Sequence, residues 1–207
     1  MIETPDSLPA RMFLLAYDLR KQKMTMHGSQ LGYVLRAAAL TELYLDGRLG
    51  GDDRRPAPGT PGDDPYGMLA QISGSRPRTW RYWIRKDSRP FVATVREELR
   101  RGGWIRVTRY RAFGLFPRER VTVKDPRVVK ALWGGASSAL RGRPVAHVNS
   151  YDAAAVALAA AGEMRSVLPG RDRRRHRRRI AELTARSGPA APAVRKLISA
   201  ERAAAAG

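Results

Sequence analysis

Acid–base, nucleophilic and metal chemistry need histidine, cysteine, serine and carboxylate side chains in close arrangements. The 207-residue chain has no cysteine and three histidines, which are too scattered to suggest a zinc site. His147, Ser150 and Asp152 lie close together, but their order matches no catalytic triad, and helix capping explains them better. Two Asp-Asp pairs within residues 50–67 are interpreted as solvated rather than as magnesium ligands. Gly-rich phosphate loops are missing, so the sequence predicts a binding protein that is not an enzyme and uses no metal or cofactor.

The composition favours the binding of anions. The chain has 39 Lys and Arg against 19 Asp and Glu, a formal net charge of +20 at pH 7. Residues 76–130 hold 17 basic and 5 acidic side chains, and residues 171–207 hold 11 basic and 3 acidic ones. This balance predicts a polyanionic partner, either nucleic acid or an anionic membrane surface. The alternative is a set of solvated basic faces without a partner.

Size and hydrophobicity point to one soluble domain. The composition is 43% hydrophobic and 28% charged, which suits a globular protein and not a disordered tail. No apolar run approaches the roughly 20 residues of a membrane-spanning helix, and the run 12–16 is too short for a secretory signal. We therefore expect a cytoplasmic single domain over residues 1–207. The bias toward arginine, with abundant alanine and glycine, suggests a GC-rich bacterial gene.

The spacing of apolar residues predicts a mainly α fold with one β-hairpin. Ser7 and Ser29 are predicted to cap the first two helices, because serine is a preferred residue at that position. Residues 50–67 are rich in Pro, Gly and Asp and predict an exposed loop. Helices are predicted over 8–17, 30–45, 91–101, 126–133, 150–164, 171–185 and 192–206, the last two forming a basic C-terminal region over 171–206. A basic aromatic helix is predicted from Arg78 to Lys86.

A β-hairpin over residues 104–124 is the clearest local motif. Apolar and basic residues alternate over 104–110 and over 120–124, the period of a strand with two different faces. The tip between them is apolar, with Phe113, Leu115 and Phe116. Such a tip would insert into a bilayer or mediate self-association; alternatively, it folds back onto the protein.

A DNA-binding alternative rests on the order of elements. Helix 91–101 followed by the hairpin resembles the end of a winged helix-turn-helix, in which Arg96, Arg100 and Arg101 could contact phosphates. Against this, the segment before the helix is rich in Trp and Tyr. Aromatic residues beside arginines fit an anionic lipid surface well, so nucleic acid is the less favoured partner.

The run 31–49, LGYVLRAAALTELYLDGRL, closely resembles the signature helix of the Golgi phosphoprotein 3 family. The preceding run 12–16, the GGWI entry to the hairpin at 102–105 and the Ala-rich helix 152–163 support the resemblance. It implies a mostly helical domain with a protruding hairpin that acts as a peripheral membrane protein. Eukaryotic members recognise the headgroup of phosphatidylinositol 4-phosphate and help retain glycosyltransferases in the Golgi. The resemblance thus implies an inositol-lipid partner, and membrane-enzyme clients are compatible with it.

The resemblance also implies a headgroup site. The family pocket pairs a tryptophan and an arginine around the signature helix with two arginines of the later helix. These positions fall on His27, Arg36, Arg89 and Val92, so two of them depart from the family's residue types. A shift of the later helix by one turn would place Arg96 in the pocket instead of Val92. The predicted headgroup-binding residues are Arg36, Arg89, His27, Arg81, Arg85 and Arg96.

Two of these residues have simpler interpretations. Arg36 lies in an otherwise apolar helix and could pair with Glu42 or with a backbone carbonyl, although a desolvated guanidinium favours a phosphate. His27 could be an ordinary polar loop residue.

The arginines of the cluster 171–179 could each add about 1 kcal/mol of attraction to an anionic bilayer without any pocket.

Overall fold

The computed structural model describes residues 2–112, 116–142 and 144–206, and it is mainly α-helical, as predicted. Three two-stranded antiparallel ribbons, β1–β2, β3–β4 and β5–β6, accompany the helices in the described part. The helices are α1 (Leu8–Leu15), α2 (Gly28–Leu45), α3 (Met68–Ser73), α4 (Trp80–Arg85), α5 (Ser88–Arg101), α6 (Pro126–Arg141), α7 (Ser150–Ala161), α8 (Gly170–Arg175), α9 (Arg177–Arg186) and α10 (Ala190–Ala206). The strands are β1 (Tyr17–Asp18), β2 (Lys23–Met24), β3 (Leu49–Gly51), β4 (Pro56–Pro58), β5 (Ile105–Ala112) and β6 (Phe116–Val123).

Helix α2 is the centre of the main core. It packs against α1, α4, α5, α7 and α10, and side chains such as Leu35 and Leu40 are fully buried. Gly32 allows the start of α5 to approach closely, because a Cβ at this position would lie 2.2 Å from the backbone oxygen of Ser88. A smaller apolar cluster that includes Leu183 lies between α6, α7 and α9. The apolar spacing that predicted these helices therefore marks their buried faces.

The predicted hairpin is confirmed as β5 and β6. Its register pairs Ile105 with Val123 and Thr108 with Arg120. Ile105 and Val123 are buried at its base, so the hairpin is anchored by the alternation that predicted it. In the predicted tip, Phe113 and Leu115 lie outside the described residues, and Phe116 begins β6. Among the helices of the described chain, none is both long enough and apolar enough to span a bilayer.

Several local features differ from the sequence-based expectation. Helix α6 continues to Arg141, eight residues beyond its predicted end. The prediction that Ser29 caps α2 is wrong: the helix begins at Gly28 after His27, and the Ser29 hydroxyl instead accepts a hydrogen bond from Arg89. The predicted helix 171–185 is divided at His176 into α8 and α9, because like charges three and four residues apart weaken a helix. The 50–67 segment is largely exposed, but part of it forms the β3–β4 ribbon.

Helix α1 is held by a half-buried carboxylate. Tyr151 Oη donates a hydrogen bond to Glu42 Oε1 at 2.8 Å, and the backbone N–H of Leu8 donates to Glu42 Oε2 at 3.3 Å. Burial raises the pKa of Glu42 above its ordinary value of 4.5. A raised carboxyl pKa favours the folded state at low pH, and this contribution falls as the pH rises through the folded-state pKa.

We therefore expect Glu42→Gln to gain stability relative to the wild type as the pH rises from about 4.5 to neutral. The measurement is the free energy of urea unfolding of both proteins over this range. Glu97→Gln is the control, because hydrogen bonds from Arg100 and Arg101 lower the pKa of Glu97 to about 2, below the range. A difference between Glu42→Gln and wild type that stays constant with pH contradicts the prediction.

Candidate functional site

A cleft between the start of α2, the helix α5 and the hairpin brings together two of the predicted site residues, His27 and Arg96. Its volume is about 430 Å³, within the range of about 300–1,000 Å³ that small-ligand sites occupy. Phe13, Met26 and Leu31 are buried side chains that form an apolar floor. The β1–β2 ribbon and strand β6 contribute its walls. The cleft is therefore a concave surface with both polar and apolar parts.

Four cationic side chains line the cleft, and they come from three distant parts of the chain. Lys21 and Lys23 belong to the β1–β2 ribbon, Arg96 to α5 and Arg120 to β6. The Arg120 guanidinium lies over the ring of Tyr110, 5.8 Å from its centroid, and this contact helps to hold it in position. The fold therefore brings together positive charges from separate segments, and no single segment of the sequence indicates this cluster.

Glu119 is the one carboxylate among the described residues that line the cleft. It forms ion pairs with Arg96 and with Arg109, the latter with 3.3 Å between Arg109 Nε and Glu119 Oε1. The two lysines and Arg120 form no ion pair with an acid in the part of the chain that the structure describes. An entering anion would therefore meet three cations that form no ion pair in the described chain, of which Lys21 interacts electrostatically with Asp18.

The turn that carries the two lysines is held by its own aspartate. Asp18 Oδ1 accepts hydrogen bonds from the backbone N–H groups of Arg20 and Lys21 at 2.9 and 3.0 Å. These bonds lower the pKa of Asp18, so the group stays ionised and bound to the backbone. Beyond the turn, the backbone N–H of Thr25 donates a hydrogen bond to the backbone oxygen of Ala16 at 2.8 Å and ties the ribbon to the end of α1. The lysines thus project from a short, well-anchored ribbon.

The other predicted headgroup residues lie outside the cleft. Arg89 is exposed at the start of α5, and its Nε donates a hydrogen bond to Ser29 Oγ at 3.0 Å. Arg81 and Arg85 are exposed on α4, which packs against α2 and α10. The structure thus separates these three arginines from the concave surface that holds His27 and Arg96.

Arg36 is buried, and its guanidinium donates hydrogen bonds to the protein backbone. Its side chain is 2% exposed, and Nε and Nη2 donate hydrogen bonds to the backbone oxygen of Trp83 at 3.1 and 3.0 Å. The guanidinium also lies 5.3 Å from the centroid of the Phe91 ring. Burial lowers the pKa of Arg36 to about 10, and the charge of Asp87 opposes this shift, so the group remains cationic at neutral pH. Arg36 therefore binds the last turn of α4, where backbone carbonyls lack helical partners.

The family model described as Golgi phosphoprotein 3 (GPP34) matches residues 8–200. The chain belongs to the Golgi phosphoprotein 3 family. The search of curated proteins gives no match. The resemblance of the run 31–49 to the family's signature helix is thus confirmed at the level of the family, and membership is consistent with lipid binding in general.

The cleft coincides in part with the pocket that the Golgi phosphoprotein 3 family implies. His27 and Val92, the two positions that depart from the family's residue types, both line it. Arg96 lines it as well, the position reached when the later helix is shifted by one turn. The cations that sequence reasoning missed are Lys21, Lys23 and Arg120. The only signal for them was the basic turn immediately before His27 and the basic alternation of β6.

Proposed function

We propose that this protein is a peripheral membrane protein that binds anionic phospholipid headgroups in the cleft. The observation that carries this proposal is that Lys21, Lys23 and Arg120, which form no ion pair in the described chain, all line one cleft with an apolar floor. Arg120 also lines the hairpin face that carries Tyr110. Phosphate oxygens accept strong charge-assisted hydrogen bonds from lysine and arginine, and an apolar floor suits the carbon framework of a headgroup. Membership of the Golgi phosphoprotein 3 family supports the same ligand class.

We further propose that phosphoinositides such as phosphatidylinositol 4-phosphate are the preferred lipids. An inositol phosphate presents a monoester phosphate on a compact ring, which concentrates negative charge at a depth that a cleft can reach. The cytoplasmic face of a membrane carries anionic lipids that attract basic surfaces, and this is the face we propose. Three further properties stay predictions. They are the insertion of Phe113, Leu115 and Phe116 into the bilayer, self-association through the hairpin and the binding of membrane-enzyme clients.

The contacts of α5 favour lipid over DNA. Glu97 forms ion pairs with Arg100 and Arg101, in which the Nε–Oε distances are 2.7 and 3.0 Å. Arg96 forms an ion pair with Glu119. The three arginines that the DNA-binding alternative would use for phosphates thus each have an acidic partner. A duplex would have to compete with these carboxylates along the whole exposed end of the helix.

Sedimentation of the wild-type protein with vesicles tests the proposed function. The vesicles contain phosphatidylcholine alone, phosphatidylserine, or phosphatidylinositol 4-phosphate, with the two anionic sets matched in surface charge. We expect binding to both anionic sets, stronger for the phosphoinositide, and weaker binding as salt rises. Absence of binding to anionic vesicles at low salt, with tight and salt-sensitive binding to duplex DNA, would overturn the proposal. Equal binding to both anionic sets would overturn the phosphoinositide preference alone.

A further inference from the structure

A second basic concavity, the arginine pocket, lies where the end of α6 meets α8 and α9. Its volume is about 560 Å³, and its polar lining consists mainly of Arg141, Arg171, Asp172, Arg175, His176 and Arg179. Arg171, Arg175 and Arg179 recur every four residues, the spacing that places side chains on one face of a helix. That face of the α8–α9 segment lines the pocket together with the end of α6.

Two of the pocket's arginines are oriented by protein groups. The Arg179 guanidinium donates hydrogen bonds from Nε and Nη2 to the backbone oxygen of Ala139, at 3.0 and 2.8 Å. Arg141 Nη2 lies 3.6 Å from Asp172 Oδ2. Because both side chains are held from the protein side, part of the cationic surface is fixed before any ligand arrives. A merely solvated basic face has no such ordering.

The charge of the pocket is poorly compensated by the protein. Asp172 is the one carboxylate among the described residues that line it. Its Oδ2 lies 3.6 Å from Arg141 Nη2, and its Oδ1 lies 3.9 Å from Arg171 Nε. Arg141, Arg171 and Arg175 around one aspartate leave a positive excess. Like charges in one concavity repel, and an anion that bridges them removes this repulsion.

We propose that the arginine pocket is a second phosphate-binding site, separate from the cleft. The planar guanidinium matches the geometry of phosphate oxygens and can bind them through two parallel hydrogen bonds. Several arginines around one cavity favour a ligand with at least two adjacent negative charges, that is, a phosphate monoester or a diphosphate. Such a group can belong to a lipid headgroup or to a soluble phosphorylated molecule.

A series of contacts joins the pocket to the cleft along one stretch of surface. Trp133 lies beside Arg141 in a small groove, and its Nε1 donates a hydrogen bond to the backbone oxygen of Ser166 at 3.0 Å. Thr25, two residues after the cleft residue Lys23, donates from Oγ1 to Ser166 Oγ at 3.2 Å. Trp133 is 45% exposed, and tryptophan is favoured at membrane interfaces. A phosphate on a lipid is therefore a source that the surface can accommodate.

The test uses inorganic pyrophosphate as the probe and isothermal titration calorimetry on the full chain. All proteins carry Lys21→Ala, Lys23→Ala and Arg120→Ala, so that the cleft does not contribute. In this background Arg171→Gln with Arg175→Gln removes two pocket charges. The control, Arg174→Gln with Arg178→Gln, removes two charges from exposed side chains of the same two helices that do not line the pocket.

We expect the pocket variant to lose about tenfold or more in pyrophosphate affinity and the control to change by less than about twofold. Equal losses in both would show unspecific attraction and overturn the proposal, as would a cleft-neutralised parent that binds no pyrophosphate. Vesicles carrying phosphatidylinositol 4-phosphate then identify the source. Reduced sedimentation of the pocket variant alone assigns the site to lipid headgroups, and unchanged sedimentation assigns it to soluble phosphates. Neither result depends on whether the cleft binds lipid, because the cleft is neutralised throughout.

Discussion

Replacing Arg36 with alanine is expected to lower the free energy of unfolding by about 3 kcal/mol. The substitution leaves the buried backbone oxygen of Trp83 without its two hydrogen bonds from the guanidinium. It also removes a long side chain from a site where it is 2% exposed and packs beside Phe91. Both effects destabilise the contact between α2 and α4, and urea unfolding followed by circular dichroism measures the sum.

Arg89→Ala is the matched control for this experiment. It removes the same side chain from an exposed position with one hydrogen bond, to Ser29, and we expect a change within about 0.5 kcal/mol. The result that contradicts the structural role of Arg36 is an Arg36→Ala protein with unchanged unfolding free energy and abolished binding to anionic vesicles. That outcome would return Arg36 to the headgroup site that the sequence resemblance implied.

The second large effect is expected from the triple variant Lys21→Ala, Lys23→Ala and Arg120→Ala. Each basic residue close to an anionic bilayer contributes about 1 kcal/mol, and about 1.4 kcal/mol corresponds to a tenfold change in affinity. The three substitutions together should therefore lower the affinity for phosphoinositide vesicles about 100-fold. The free energy of unfolding should change little, because none of the three side chains forms an ion pair or lies in the core of the described protein. Vesicle sedimentation at constant salt gives the affinity.

The control for the triple variant removes the same charge elsewhere. Arg54, Lys196 and Arg195 are exposed and line neither the cleft nor the arginine pocket. Replacing these three residues with alanine should reduce vesicle affinity by less than about tenfold, through the loss of general attraction alone. If the two triple variants lose affinity equally, net charge recruits the protein and the cleft has no special role.

The fold was largely predictable from local sequence patterns. Ser7 at the start of α1 and the alternation in β5 and β6 are short-range signals, and the structure uses each as predicted. The cap at Ser29 was wrong because a residue 60 positions away, Arg89, supplies the hydroxyl's partner. Spacing along the chain contains no information about such a contact.

The candidate site was predictable only in part, for the same reason. Lys21, Arg96 and Arg120 are separated by dozens of residues, and only the packing of α5 and the hairpin beside the β1–β2 ribbon brings them into one cleft. The family resemblance implied His27, which lines the cleft. It could not show that Arg36 turns toward Trp83, because the direction of a side chain on a helix that is buried on most sides depends on its neighbours.

The bond between Arg36 and the last turn of α4 also bears on how the family's members should vary in evolution. An arginine that holds two helices together is under selection for folding, whatever ligand a given member binds. We therefore expect position 36 to be retained even among relatives that have changed their ligand, whereas positions 21, 23 and 120 should change together with it. In a relative that keeps this contact, an arginine at position 36 would therefore be evidence of the shared architecture and would not by itself identify the ligand.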